Sequence, residues 1–204
     1  MSADTRIPVE DISAVILAGG RARRMDGEDK GLIELKGRPL LDYIIAALRP
    51  QVGEILVNAN RNLERYHAFG YPVIEDIMGD FFGPLVGMAT GIQATGKPYL
   101  LTVPCDSPFI PAHLAATLYH AMMSEQAELS VAHDGVRMQP VFALLDCRLL
   151  PGLLDYLNGG GRKIDTWYAQ HRLTLADFSA VPEAFLNLNT PEDKAELESR
   201  IRPV

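Results

Sequence analysis

Apolar residues recur along the chain in short runs that alternate with longer amphipathic stretches. Four of these runs are almost continuously apolar, which is typical of strands buried on both faces. The predicted strands cover residues 12–18, 54–59, 71–76 and 99–105. Residues 39–48, with Pro39 at a tolerated first-turn position, and residues 84–94 have the spacing of amphipathic helices. Because helices separate the strands, the pattern predicts a mostly parallel sheet.

The second half of the chain adds further elements of both kinds. We predict a helix over residues 111–122, a hairpin turn at residues 134–135 and a leucine-rich helix that ends at the glycines of residues 159–161. Residues 190–193 combine a capping signal with a proline at the first position of a last helix. We therefore expect an α/β fold, a Rossmann-like three-layer sandwich with a mostly parallel central sheet and a small C-terminal portion.

Composition narrows the class of protein. With 204 residues, 48% of them hydrophobic, the chain suits a single domain over residues 1–204. No apolar run approaches the ~20 residues of a membrane helix, so we expect a cytoplasmic protein that binds no membrane. Cys105 and Cys147 are far apart and show no metal-ligand spacing, which argues against a disulfide framework or a structural zinc site.

Charge is distributed unevenly. The formal net charge of −7 argues against a general affinity for nucleic acid. Residues 21–38 reverse the sign locally, with six lysines and arginines against four acids. A focused positive site of this kind suits a small polyanion.

Polar residues and glycines follow the predicted strands. Gly19 and Gly20 follow the first strand and Asn58 lies near the end of the second. Asp76 closes the third strand, and Asp106 comes directly after the fourth. Ligands of open α/β sheets bind outside the carboxyl ends of the strands, so we expect these residues to converge on one binding site.

The loop after the first strand is rich in cations but lacks both the P-loop pattern and the usual dinucleotide fingerprint. Its glycines would let backbone N–H groups approach a phosphate closely. Arg23, Arg24 and Lys30 could then neutralise a triphosphate, although a solvated turn with ordinary surface charges is the alternative.

The two carboxylates each allow more than one role. Asp106 is either a turn or cap residue or a ligand of Mg²⁺, which is often held by one or two carboxylates together with substrate phosphates. Asp76 could join it at the metal or contact a ribose or a base. The residues alone leave these roles open.

Seven motifs occur in order along almost the whole chain: LAGGRARRMDGEDKG at 17–31, VNANR at 57–61, VIED at 73–76, GPLVGM at 83–88, PCDSPFIP at 104–111, QPVFALL at 139–145 and LNLNTPE at 186–192. Together they resemble the molybdenum cofactor guanylyltransferases, the MobA family. The resemblance implies transfer of GMP from GTP to the terminal phosphate of molybdenum-molybdopterin, with release of pyrophosphate and assistance from Mg²⁺. The acceptor phosphate would attack the α-phosphorus in line, so that no protein nucleophile is needed.

The resemblance also implies roles for individual residues. It gives as nucleotide-binding residues Leu17, Ala18, Gly19, Gly20, Lys30, Asn58, Asp76, Gly83 and Asp106. Lys30, Arg24 and Asp106 would be catalytic, and Asp106 would also bind the metal. Acids in the same loop, Asp26, Glu28 and Asp29, would weaken phosphate binding if they pointed inward.

The second substrate would bind in the C-terminal half. Residues 1–110 would then bind the nucleotide and residues 111–204 molybdopterin, with Gln139, Asn187 and Asn189 as candidates because amides satisfy the mixed donors and acceptors of a pterin. The two asparagines would share one face of a strand, or would form a turn and cap before the last helix. We expect a monomer, with molybdoenzyme apoproteins or other cofactor-assembly proteins as further partners.

Two alternative functions remain from the sequence. One is a related cytidylyltransferase or sugar-phosphate nucleotidyltransferase. The other is a nucleotide-binding scaffold without chemistry, against which the presence of Lys30 and Asp106 argues.

Overall fold

The computed structural model describes residues 8–20, 29–79 and 83–201. The strands within these ranges are β1 (Ile12–Leu17), β2 (Glu34–Leu35), β3 (Arg38–Pro39), β4 (Glu54–Asn58), β5 (Val73–Ile74), β6 (Tyr99–Pro104), β7 (Leu129–His133), β8 (Met138–Asp146) and β9 (Leu173–Asp177). The helices are α1 (Leu40–Leu48), α2 (Leu63–His67), α3 (Pro84–Ala94), α4 (Leu114–Ser124), α5 (Leu150–Asn158), α6 (Ile164–Tyr168) and α7 (Pro191–Arg200). None of the helices in these ranges is both long enough and apolar enough to span a membrane.

The central sheet of the described chain has seven strands in the order β5-β4-β1-β6-β8-β7-β9. Strands β5, β4, β1 and β6 pair in parallel, as do β7 and β9. Strand β8 runs antiparallel to both of its neighbours. The predicted α/β fold with a mostly parallel sheet is confirmed.

Side chains of the inner strands alternate between two apolar layers. In β1, Ala14 and Ile16 face a core that includes α1 and α4, whereas Val15 faces a core that includes α3 and α5. All three side chains are completely buried. Successive residues of a strand point to opposite faces, so a strand covered by helices on both sides is apolar at nearly every position.

A third apolar cluster joins the β2–β3 hairpin to the C-terminal helix. The hairpin of β2 and β3 contributes Leu35, and α7 contributes Leu197, with Leu188 completely buried between them. The backbone N–H of Lys36 also donates to the carboxylate of Glu198. The C-terminal helix therefore packs beside the hairpin of β2 and β3.

Local signals set several element boundaries. The Thr190 hydroxyl accepts from the Asp193 N–H, and the Asp193 carboxylate accepts from the Thr190 N–H, which forms the predicted cap of α7. Pro39 is not in the first turn of α1, because its ψ of 143° is extended and the helix begins one residue later. Strand β5 is shorter than predicted because only two of its residues pair with β4.

Candidate active site

A cavity of about 440 Å³ opens at the carboxyl edge of the parallel strands. Its lining residues are Leu17, Gly19, Gly20, Asn58, Asp76, Gly83, Pro84, Gly87, Pro104 and Val141. They come from the ends of β1, β4 and β6, from the start of α3, from the loop after β5 and from β8. Six residues that the sequence proposed for the nucleotide therefore surround one space of the size usual for a small-molecule site.

Glycine is required at two points of this cavity. Gly83 has a φ of +83° immediately before α3, which is a conformation that other residues rarely adopt. A β-carbon at Gly87 would lie 2.6 Å from Asn58 Oδ1 and 2.7 Å from Leu17 Cδ2. Helix α3 thus approaches the sheet at a distance that leaves no room for a side chain. Ala18 lies behind the cavity wall, where its N–H donates to the Asn58 carbonyl.

Two amides fix the carboxylate of Asp76. Asn58 Nδ2 donates to one oxygen and Asn60 Nδ2 to the other, each at 2.8 Å. The Asp76 N–H in turn donates to Asn60 Oδ1 at 2.8 Å. The sequence did not single out Asn60, although it lies within the VNANR motif. An ionised carboxylate held in this way presents only acceptors to a ligand.

A second polar cluster joins residues from three distant parts of the chain. Lys30 Nζ donates to Asp106 Oδ2 at 2.8 Å and to Asn189 Oδ1 at 2.6 Å. Lys30 lies at the start of a 3₁₀ turn, and Asp106 follows β6. The ammonium is therefore oriented by one charged and one neutral acceptor, and its pairing with Asp106 remains partly open to solvent.

Residues 187–189 lie against the loop that follows β6. The Leu188 N–H donates to the Asp106 carbonyl at 2.8 Å, and Ser107 Oγ donates to Asn187 Oδ1. Asn187 and Asn189 both contact this loop or Lys30, whereas the Leu188 side chain is buried in the third apolar cluster. The segment precedes the Thr190 cap and is not a strand. Ser107 is a further contact that the sequence did not single out.

Asp29 faces the protein rather than a phosphate site. Its side chain is only 3% exposed, and its carboxylate forms an ion pair with Arg61 and accepts from Asn62 Nδ2. The negative charge of Asp29 is thus compensated inside the protein. The proposed catalytic residue Arg24, together with Arg23, Asp26 and Glu28, lies outside the described residues.

Gln139 lies on β8, two residues before Val141 in the cavity wall. Its Nε2 donates to the Asp134 carboxylate in the hairpin at 2.6 Å, and the residue is buried. Backbone N–H groups of Arg137 and Val136 also bond this carboxylate and lower the pKa of Asp134. The Gln139 amide therefore braces the hairpin.

Thiol chemistry has no support at this site. Burial, and after it the neighbouring Asp106 charge, raise the pKa of Cys105 to about 12. The thiol is therefore protonated at neutral pH and is a poor nucleophile. Burial also raises the pKa of Tyr66, whose hydroxyl lies beneath the Lys30 turn and finds no hydrogen-bond partner within the described ranges.

The donor set at Asp106 fits Mg²⁺. Within residues 8–20, 29–79 and 83–201, no three His, Cys, Asp or Glu side chains cluster as a metal site. Mg²⁺ is commonly held by one or two carboxylates with the remaining positions filled by water and substrate phosphates. Asp106, beside the Lys30 ammonium that is suited to phosphate, matches this arrangement.

Comparison with known proteins gives the family. A family model for the MobA-like NTP transferase domain matches residues 14–173. The molybdenum cofactor guanylyltransferase of Shewanella halifaxensis (strain HAW-EB4) is 50% identical over 190 residues, which cover 93% of this chain and 95% of that protein. The protein of the same name from Shewanella sediminis (strain HAW-EB3) is 51% identical over 190 residues, covering 93% of this chain and 97% of its own.

Solved structures show that the fold is shared more widely. Molybdopterin-guanine dinucleotide biosynthesis protein A from Archaeoglobus fulgidus superposes with a TM-score of 0.74 at 18% identity, covering 92% of this chain and 97% of its own. A 4-diphosphocytidyl-2C-methyl-D-erythritol synthase from Anaerococcus prevotii has a TM-score of 0.70 at 14% identity, covering 97% and 98% of the two chains. At these identities the likeness concerns the fold alone. The family match and the curated relatives at about half identity together show that this chain belongs to the MobA-like NTP transferases and, within them, to the molybdenum cofactor guanylyltransferases.

Proposed function

We propose that this protein transfers GMP from GTP to the terminal phosphate of molybdenum-molybdopterin, forming the guanine dinucleotide cofactor and pyrophosphate. The observation that carries the proposal is the cluster of Lys30, Asp106 and Asn189, which brings two residues expected at the reacting phosphates together with a candidate residue for the second substrate. The cavity at the same sheet edge supplies space for a nucleoside.

In this proposal the cavity binds the nucleoside of GTP. Its lining includes Leu17, Gly19, Gly20 and Gly83, and Ala18 supports this lining from behind. Asn58 and Asp76 contact the nucleoside, and the two amide hydrogen bonds that fix Asp76 support this role. A fixed acceptor favours the edge of a ligand that carries hydrogen-bond donors, and guanine presents adjacent N–H groups along one edge.

The chain's own groups position two anions and stabilise charge. Lys30 and Arg24 bind the triphosphate, and Asp106 would hold Mg²⁺ against it. When bound, Mg²⁺ neutralises charge on the phosphate oxygens. The acceptor phosphate oxygen forms a bond to the α-phosphorus as the bond to the leaving pyrophosphate breaks, so that alignment and charge stabilisation provide the catalysis.

The C-terminal half would hold the second substrate. Asn187 and Asn189 adjoin Asp106 and Lys30, which supports a role beside the acceptor phosphate. Gln139 remains a candidate only if its bond to Asp134 opens. We place the reaction in the cytoplasm, a reducing compartment that suits the free thiols of Cys105 and Cys147. The monomeric state and delivery to molybdoenzyme apoproteins stay predictions.

Pyrophosphate release under single-turnover conditions tests the proposal. Purified protein, Mg²⁺ and molybdenum-molybdopterin are mixed with GTP, CTP, ATP or UTP. We expect release with GTP, and loss of release in Lys30→Ala and Asp106→Ala while thermal unfolding stays close to wild type. Lys97→Ala, a lysine at the opposite end of β6, should keep full activity. Preference for CTP would indicate cytidylyl transfer instead of guanylyl transfer. Release of pyrophosphate from none of the four nucleotides would favour a nucleotide-binding scaffold without catalytic activity.

A further inference from the structure

The side chain of Arg61 connects the two described ends of the cationic loop. Its Nη2 contacts the carboxylate of Asp29 and lies 3.5 Å from the carbonyl oxygen of Gly20. Gly20 and Asp29 are the described residues on either side of residues 21–28. One guanidinium, which itself follows β4, thus reaches both the exit of β1 and the approach to Lys30.

The Asp29 end of this connection is buried and fully engaged. One carboxylate oxygen pairs with Arg61, and the other accepts from Asn62 Nδ2 at 2.9 Å. Asn62 has a φ of +50° at the start of α2, so the loop after β4 is bent to bring both donors to Asp29. A buried carboxylate without a partner is strongly unfavourable, and the two donors therefore fix where Asp29 lies.

The position of Asp29 determines the position of Lys30. The Asp29 carbonyl accepts from the Leu32 N–H at 2.9 Å, which closes the 3₁₀ turn that begins at Lys30. From this turn the Lys30 side chain extends to Asp106 and Asn189. The ion pair of Arg61 with Asp29 and the short backbone turn after Asp29 thus connect Arg61 to the ammonium expected at the phosphates.

We propose that Arg61 is a positioning residue that places Lys30 for phosphoryl chemistry by holding Asp29 and Gly20 together. The inference rests on the proposed function, since it assigns Lys30 to the nucleotide phosphates. Arg61 acts through Asp29 and needs no contact with the substrate. A displacement of a reacting group by about 1 Å can cost about 100-fold in rate, so a modest shift of the turn is sufficient.

A second arginine–aspartate ion pair lies outside this site and serves as a control. Arg148 forms an ion pair with Asp146, whose side chain is 9% exposed, while the arginine itself is 90% exposed, against 40% for Arg61. That pair lies at the end of β8 beside the start of β6, which is the opposite edge of the sheet from Asp106. A purely structural arginine–aspartate pair should behave as this one does.

The experiment compares Arg61→Met, the double variant Asp29→Asn/Arg61→Met, and Arg148→Met. Thermal unfolding, kcat and the KM for GTP are measured on each full-length protein. We expect Arg61→Met to lower the unfolding temperature and to lower kcat by about 100-fold. The double variant removes the unpaired buried charge, so it should unfold close to wild type yet keep the low kcat. Arg148→Met should change stability only.

Two further measurements separate this inference from the proposed function. In a double-mutant cycle, Arg61→Met should add little to Lys30→Ala, because both remove the same placement of the ammonium. Acylation of Lys30 by an amine-reactive ester, followed by mass spectrometry with Lys97 as internal reference, needs no turnover. Its rate should rise several-fold in the double variant, because the amine is released from Asp106 and Asn189.

Recovery of kcat together with stability in the double variant would overturn the inference and leave a structural ion pair. Wild-type kcat in Arg61→Met would do the same, as would an unchanged labelling rate at Lys30. If the wild-type protein released no pyrophosphate from GTP, the proposed function would fail, and the labelling rates would still decide whether Arg61 places Lys30.

Discussion

Substitution of Gly87 by alanine tests whether the close contact of helix α3 with Asn58 also determines the shape of the cavity at the strand ends. The added methyl group would lie 2.6 Å from Asn58 Oδ1 and 2.7 Å from Leu17 Cδ2, both shorter than any ordinary contact. One neighbour, Asn58, donates to Asp76 at 2.8 Å. The methyl group must therefore displace the side chain that holds Asp76, or move the helix away from the sheet.

The expected change in the unfolding free energy of Gly87→Ala is the sum of opposing effects. Alanine in place of glycine within a helix gains about 1 kcal/mol, whereas an extra methyl group in a well-packed core costs about 1–3 kcal/mol. Loss of the bond from Asn58 to Asp76 adds about 1 kcal/mol. We expect a net loss of about 1–3 kcal/mol, which corresponds to about 2–12 °C in the unfolding temperature of a chain of this size. GTP affinity should fall by about tenfold or more, since 1.4 kcal/mol lost from the ligand contacts is a factor of ten.

Thermal unfolding with increasing GTP and Mg²⁺ measures both quantities, because a ligand that binds the native state raises the midpoint. Gly91→Ala is the matched control in the same helix. The atoms nearest to its methyl group would be those of the aliphatic side chains of Leu100 and Val15, so it should lower stability without lowering GTP affinity. Gly152→Ala in α5 meets nothing within 4 Å and should stabilise slightly. Wild-type GTP affinity in Gly87→Ala would refute the reasoning.

Two further predictions concern the cap of α7 and the thiol next to Asp106. Asp193→Ala removes the acceptor for the N–H groups of Asn189 and Thr190. We expect it to cost about 1 kcal/mol in unfolding free energy and to lower kcat, because Asn189 loses its fixed position. An unchanged kcat for pyrophosphate release would contradict this prediction. Burial raises the pKa of Cys105 to about 12, so its thiol should resist iodoacetamide at pH 8 in the native protein and react once the protein is unfolded. Mass spectrometry measures the alkylation, and rapid alkylation of the native protein would show that the thiol is accessible.

Elements buried on both faces were the easiest to predict from the sequence. Strands β1, β4 and β6 were located to within one residue at each end, because their apolar runs have no competing period. The hairpin turn also placed β7 beside β8. The pairing of β8 with β6 was beyond the sequence, because strand order depends on contacts between residues about 40 positions apart in the chain.

Once the strands were located, the polar residues at their carboxyl ends could also be predicted to lie together. Gly19, Asn58 and Asp76 were expected together because parallel strands share an edge, and the structure brings them to one cavity. Their partners were not predicted: Asn60 depends on how the loop after β4 bends, and Ser107 on where residues 187–189 lie. Such loop conformations leave no periodic signal in the sequence.

The charge balance of the site indicates where phosphate binding must draw its positive charge. Lys30 is paired with Asp106, and Arg61 with Asp29, so these four side chains carry no net charge before a ligand arrives. A triphosphate and a second phosphate substrate bring several negative charges to the same edge. The sequence offers the arginines of residues 21–24 as further cations, and a divalent ion at Asp106 would be another source of positive charge. In the proposed function, the paired Lys30 would therefore mainly orient the phosphates, and the loop arginines and the metal would compensate most of their negative charge.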